Sequence, residues 1–142
     1  MSKTKSLPEV EPHFLYVFMR TDMQSMNPGK AVAHGAHAAN QFDVAIKDVS
    51  NEDLQAGYDA WVKSGTFFGT TITLGVNEEQ LHRHVASIAD LGSSVVAGVV
   101  MDPTYPVRDG QVTHLIPVNT CGFAFGPMSA LKALTTELSL MW

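Results

Sequence analysis

The chain carries a single cysteine, Cys121, among 142 residues. An internal disulfide is thereby excluded, and so is a cysteine-rich zinc site. Basic charge is also scarce: nine lysines and arginines stand against fourteen acids, a formal net charge of −5. Proteins that grip nucleic acid through many phosphates usually carry a basic excess, so any anion-facing surface has to be local. No apolar run reaches the roughly 18 residues that span a bilayer. The opening, MSKTKSLPEVEP, lacks the apolar core of a secretory signal. A cytoplasmic location and no membrane partner are the expectation. What is present is a globular balance, 45% hydrophobic and 16% charged residues. That length and composition suit one domain with a real core.

The charges are unevenly placed. Asp43, Asp48, Glu52, Asp53 and Asp59 fall in one stretch, whereas Asp22 is the sole acid between His13 and Asn40, beside Arg20 and Lys30. An anion-facing surface therefore belongs near the first strand and the helix that follows it.

Residues 1–12, with Pro8 and Pro12, read as a flexible tail, and 13–142 as a single domain. FLYVFMR (14–20) is a short apolar run of aromatic and branched residues, the pattern of a buried strand. Asn27 as cap and Pro28 in the first turn start a helix running to about Lys47. A second helix is expected over 52–63, capped by Ser50 or Asn51, with Leu54, Tyr58, Trp61 and Val62 as its apolar side. Residues 67–76 form a strand by composition. Asn77 caps a third helix that ends at Gly92, with Leu81, Val85, Ile88 and Leu91 as its stripe. Strands follow at 93–101 and 120–126, and Pro127 opens a last helix. Between those two strands Asp109-Gly110 signals a tight turn. Four apolar strands alternating mostly with helices imply an α/β fold, a four-stranded mixed sheet sandwiched between helices.

MNPGKAVAHGAHAANQF (26–42) is unusual in setting polar groups into alanine and glycine. On a helix Lys30, His34, His37 and Gln41 fall within roughly a 60° arc, opposite Val32, Ala39 and Ile46. A lysine in a first turn is disfavoured by the helix dipole, so Lys30 either reaches water or meets an anionic ligand or a carboxylate. His34 and His37 are also spaced to share a metal, with a third ligand from Asp102 or His114. The zinc-protease pattern differs, with histidines four apart and a glutamate beside the first, and no metal is expected. MNPGKA is not a phosphate loop, because the earlier glycine and the hydroxyl after the lysine are missing. Gly-x-Ser-x-Gly is absent, and Cys121 inside an apolar strand reads as an inert buried thiol. His82 and His84 read as surface residues. Asp102 ends a strand where open α/β sheets hold ligands, though a turn-former before Pro103 is the alternative.

A strand ending Arg20-Thr21-Asp22, the helix GKAVAHGAHAA, Asp102, then THLIPVNT, GFAFGP and ELSLMW follow one another. In this order the chain resembles the peptidyl-tRNA hydrolase type II family, from residue 14 onward. The resemblance implies a cofactor-free hydrolase, commonly a homodimer, that cuts the ester joining peptide to tRNA. It implies catalytic roles for Lys30, His37, Asp102, Thr113 and Thr120, and substrate contacts from Arg20, His34 and Asn119. Lys30 is then expected at an oxyanion or a phosphate, Asp102 orienting water, His37 as base, and the threonines as hydroxyl donors. The chain departs from the family at His34, where the family has glutamine, at Ala36, and at Val112, where it has arginine. PTYPVRDGQ lengthens the turn after Asp102 and is expected to add a hairpin at the rim. Acidic charge and the missing arginine support a second reading, a non-catalytic binding or regulatory domain. A metal-dependent hydrolase using His34 and His37 is a third.

Overall fold

The computed structural model describes residues 10–66 and 68–141. Most of the expected N-terminal tail, residues 1–9, lies outside the described residues, as does Phe67 of the second expected strand. The elements run β1 (His13–Arg20), α1 (Pro28–Ile46), α2 (Glu52–Lys63), β2 (Thr71–Val76), α3 (Glu78–Ala89), β3 (Val96–Asp109), β4 (Val112–Pro127), α4 (Met128–Thr135) and β5 (Ser139–Leu140). The sheet has five strands rather than four, in the order β3-β4-β1-β2-β5. β1 runs parallel to β2 and antiparallel to β4, so the sheet is mixed.

The alternation of β1 divides the core. Leu15, Val17 and Met19 face Ala38, Phe42 and Ile46 of α1 and Leu54 of α2. Tyr16 and Phe18 face Leu81, Val85 and Ile88 of α3 and Leu131 of α4. A strand buried on both sides has no polar alternation to show, which is why FLYVFMR is an unbroken apolar run. The helix starts follow from their caps: Asn27, Asn51 and Asn77 each accept a backbone N–H three residues on. In α3, Gln80 returns the bond to the Asn77 N–H, completing a capping box. Leu91, expected on the α3 stripe, lies past the helix end and is exposed.

β3 and β4 are much longer than expected and make one hairpin from Val96 to Pro127. Its turn is Gly110-Gln111, between the paired Asp109 and Val112, and Gly110 takes φ +62. Pro103, Pro106 and Pro117 made this stretch read as loop, since proline breaks a ladder. β3 is an edge strand, and β4 pairs with β1 only over Cys121–Pro127. All three prolines thus lie on strands with a free side, where a missing N–H costs little.

Candidate active site

Two irregularities in the hairpin register gather side chains toward α1. Val100 pairs with Cys121 and Met101 with Asn119, so Thr120 is extra in β4; Asp102 pairs with Val118 and Tyr105 with Ile116, so β3 also has an extra residue. An extra residue resets the alternation of faces. Thr120 and Cys121 are consequently neighbours on the same side, and Asp102 and Tyr105 share that side although they are three apart.

His34 sits where these groups meet. It is buried, 4% exposed. Its Nδ1 lies 3.2 Å from the Thr120 hydroxyl, and its Nε2 is 3.7 Å from Asp102 Oδ2. The Cys121 thiol donates to the His34 carbonyl at 3.4 Å. The His34 ring packs 5.6 Å from the ring of Tyr105 and 5.2 Å from that of His37. Tyr105 is wholly buried, and its hydroxyl is 2.9 Å from that of Ser25. Above the Tyr105 ring, 4.9 Å from its centre, is the Lys30 ammonium, which also donates to the Pro106 carbonyl at 3.4 Å. A π face and a carbonyl thus hold the lysine against the unfavourable end of its helix dipole.

Two grooves flank this buried group. One, of about 420 Å³, is lined by Gln24, Ser25, Asn27, Lys30, Pro106, Arg108 and Thr113. It has two cations and no acid. The other, of about 400 Å³, is lined by His37, Asn40, Gln41, Val100, Met101, Asp102 and Pro103. Asp102 shows the turn-forming role as well, because Oδ1 accepts from the Thr104 N–H at 2.9 Å. Its Oδ2 is left toward His34 and the groove.

The polar line of α1 is therefore the flank of its buried face. Val32 and Ala39, expected on the packed side, are exposed, whereas His34, Ala38, Phe42 and Ile46 are buried. Lys30, His34, His37, Asp102 and Thr120 come together on α1 and the hairpin, while Thr113 lines only the Lys30 groove. Thr120 is fully buried, so its hydroxyl meets His34 and not a groove. Arg20 and Asn119 stand apart. Arg20 bonds both carboxylate oxygens of Asp22, lies 3.8 Å from Glu78 and donates to the Asn119 carbonyl. Burial raises the Asp22 pKa, but the bonds from Arg20 and the Glu78 N–H outweigh it and leave the carboxyl below its ordinary value. A guanidinium so engaged holds β1 to α3 and is not free for substrate. The side-chain amide of Asn119 meets His82 at 3.4 Å. His84, expected at the surface, is buried, stacked on Phe18 and bonded to Glu137 at 3.0 Å. Burial pushes the Cys121 thiol up to about 11, which leaves it inert at neutral pH. Among the described residues no group of three His, Cys, Asp or Glu is placed to hold a metal. The sequence does not announce Tyr105 and Arg108, because the prolines around them give the stretch the pattern of a loop.

Burial lowers the pKa of His34 from its ordinary 6.5; Asp102 opposes the shift, while His37 and Lys30 add to it. The folded state then binds this proton less readily than the unfolded chain, so stability rises with pH between the two pKa values. The contribution is complete above about pH 6.5 and erodes as pH falls toward the lower folded value. Thermal melts of the wild type should lose midpoint temperature between pH 7 and pH 5, and His34→Gln should lose less. Equal losses in the two proteins would assign the acid sensitivity to another group.

No protein-family model matches the chain, and no curated protein matches it in sequence. A solved structure of a protein of unknown function from Agrobacterium tumefaciens strain C58 is similar in fold. The two share 10% identity at a TM-score of 0.51, over 92% of this chain and 98% of that one. At that identity the likeness concerns the fold alone.

Proposed function

We propose that the face shared by α1 and the β3–β4 hairpin hydrolyses the ester of peptidyl-tRNA. The observation that supports this reading most is a cationic groove beside an imidazole–carboxylate groove, joined through His34 and Tyr105. Lys30 and Arg108, with Thr113 as a hydroxyl donor, hold phosphate and ribose at the end of the tRNA. His37 and Asp102 face the ester. Asp102 orients a water and His37 takes its proton as the water oxygen bonds to the ester carbon. The carbon–oxygen bond to the ribose then breaks, and His37 returns the proton to the ribose oxygen. The chemistry balances without a cofactor. The resemblance also implies a homodimer.

A second reading keeps the fold and gives up the reaction. It is favoured by the engagement of Lys30 with Pro106 and Tyr105 and by the complete burial of Thr120. Binding of tRNA across a salt series, together with peptide release, separates the two. Two phosphate contacts on a single strand give a slope of log K against log salt of about −1.4, and Arg108→Ala should reduce it to about −0.7. Binding with that slope but no peptide release would favour the non-catalytic domain. A slope near zero would remove tRNA from both readings.

A further inference from the structure

His34 is closed off from both grooves, yet both its nitrogens are placed on partners. A neutral imidazole has one N–H and one lone pair, so each ring nitrogen must play a different part. The groups facing the ring are Lys30 and His37 from its own helix, Asp102 and Tyr105 from β3, and Thr120 and Cys121 from β4. Only Asp102 among them carries negative charge. A lone pair turned to that carboxylate at 3.7 Å would be repelled, whereas an N–H is attracted, so the proton belongs on Nε2. Nδ1 is then an acceptor, and the Thr120 hydroxyl at 3.2 Å is its donor. That hydroxyl has a second acceptor, Cys121 Sγ at 3.7 Å, but a thiol sulfur is the weaker one. The β4 irregularity that brings Thr120 and Cys121 to one side supplies this contact.

We infer that His34 is a positioning residue, held by Thr120 as the neutral Nε2–H tautomer, whose N–H steers the Asp102 carboxylate at the edge of the groove. Thr120 accordingly acts from within the core, as the far end of the chain Thr120–His34–Asp102, and not on substrate. At 3.7 Å the His34–Asp102 contact is longer than a hydrogen bond, so it orients through charge and dipole and lets the carboxylate turn to a water. The inference rests on the reading of Asp102 as a working group, but the tautomer does not depend on that reading.

Nitrogen-15 NMR of the folded protein at pH 7 reads the tautomer directly. The expected spectrum has a protonated Nε2 and an unprotonated Nδ1 for His34, and Thr120→Val should reduce that preference. An Nδ1–H tautomer or an imidazolium at pH 7 would overturn the inference, and so would a Thr120→Val spectrum like that of wild type. The role is tested by substitution. His34→Gln supplies one acceptor and one donor over a similar span, so kcat should stay within a few-fold. His34→Leu supplies neither, and misplacing a working group can cost about a hundredfold in kcat. Affinity for tRNA should not change in either variant. Equal activity of the two variants would overturn the positioning role. If His34→Leu does not fold, Thr120→Val and His34→Gln decide in its place. The expected tautomer in a protein that releases no peptide would refute the hydrolase and leave the geometry of His34 standing.

Discussion

His37→Ala is expected to lower kcat for peptide release by about 10²–10⁴-fold, the usual contribution of a positioned base. His37 is exposed on α1, so the substitution opens no cavity and the folded state should keep its stability. Binding should separate from chemistry. Lys30 and Arg108, the cations proposed to hold phosphate, line the other groove, and the tRNA affinity and salt slope of His37→Ala should match wild type. Arg108→Ala should do the reverse, weakening binding with little change in kcat. This division follows from the layout of the site, where the buried pair His34 and Tyr105 lies between the two grooves. An effect of His37→Ala on KM alone would mean that the imidazole only binds.

Phe42→Ala is expected to destabilise the fold by about 3–5 kcal/mol, the range for an aromatic removed from a packed core. Phe42 is 2% exposed. Its ring meets Phe125 at 4.9 Å, Trp61 at 5.7 Å, Tyr58 at 5.9 Å and Phe123 at 6.2 Å. It therefore joins three elements, α1, α2 and β4, and the neighbours cannot collapse into the space without moving a strand or a helix. For a chain of this size the loss corresponds to a Tm lower by about 10 °C or more. Val32→Ala on the same helix is the control, because Val32 is 75% exposed and its change should stay within about 0.5 kcal/mol. Similar losses at the two positions would mean that α1 is packed by a different face.

Much of the architecture was legible because it is local. Asn27-Pro28, Asn51 and Asn77 announce helix starts through bonds made within three residues, and Asp109-Gly110 marks its turn through one left-handed glycine. β5 was not legible: Ser139–Leu140 is two residues long and exists only because β2 offers an edge. The length of the hairpin was hidden by prolines that free strand sides tolerate. At the site, the helical spacing of Lys30, His34 and His37 was readable, but the depth of each was not. The line runs along the flank of a buried face, and roughly 60° of rotation separates an exposed His37 from a buried His34. Asp102 and Tyr105 share a face only because β3 has an irregularity between them, which no alternation rule announces. The contact of Arg20 with Glu78 was not legible, because 58 residues separate the two.

The single-turnover rate of peptide release from peptidyl-tRNA by wild type and Asp102→Ala, with tRNA affinity taken from the same samples, decides whether this face is a hydrolase. Release by wild type should run well above the spontaneous rate, Asp102→Ala should lose about a hundredfold, and both should bind tRNA with the same affinity. Wild-type release no faster than in buffer, or an Asp102→Ala protein as fast as wild type, would contradict the hydrolase reading.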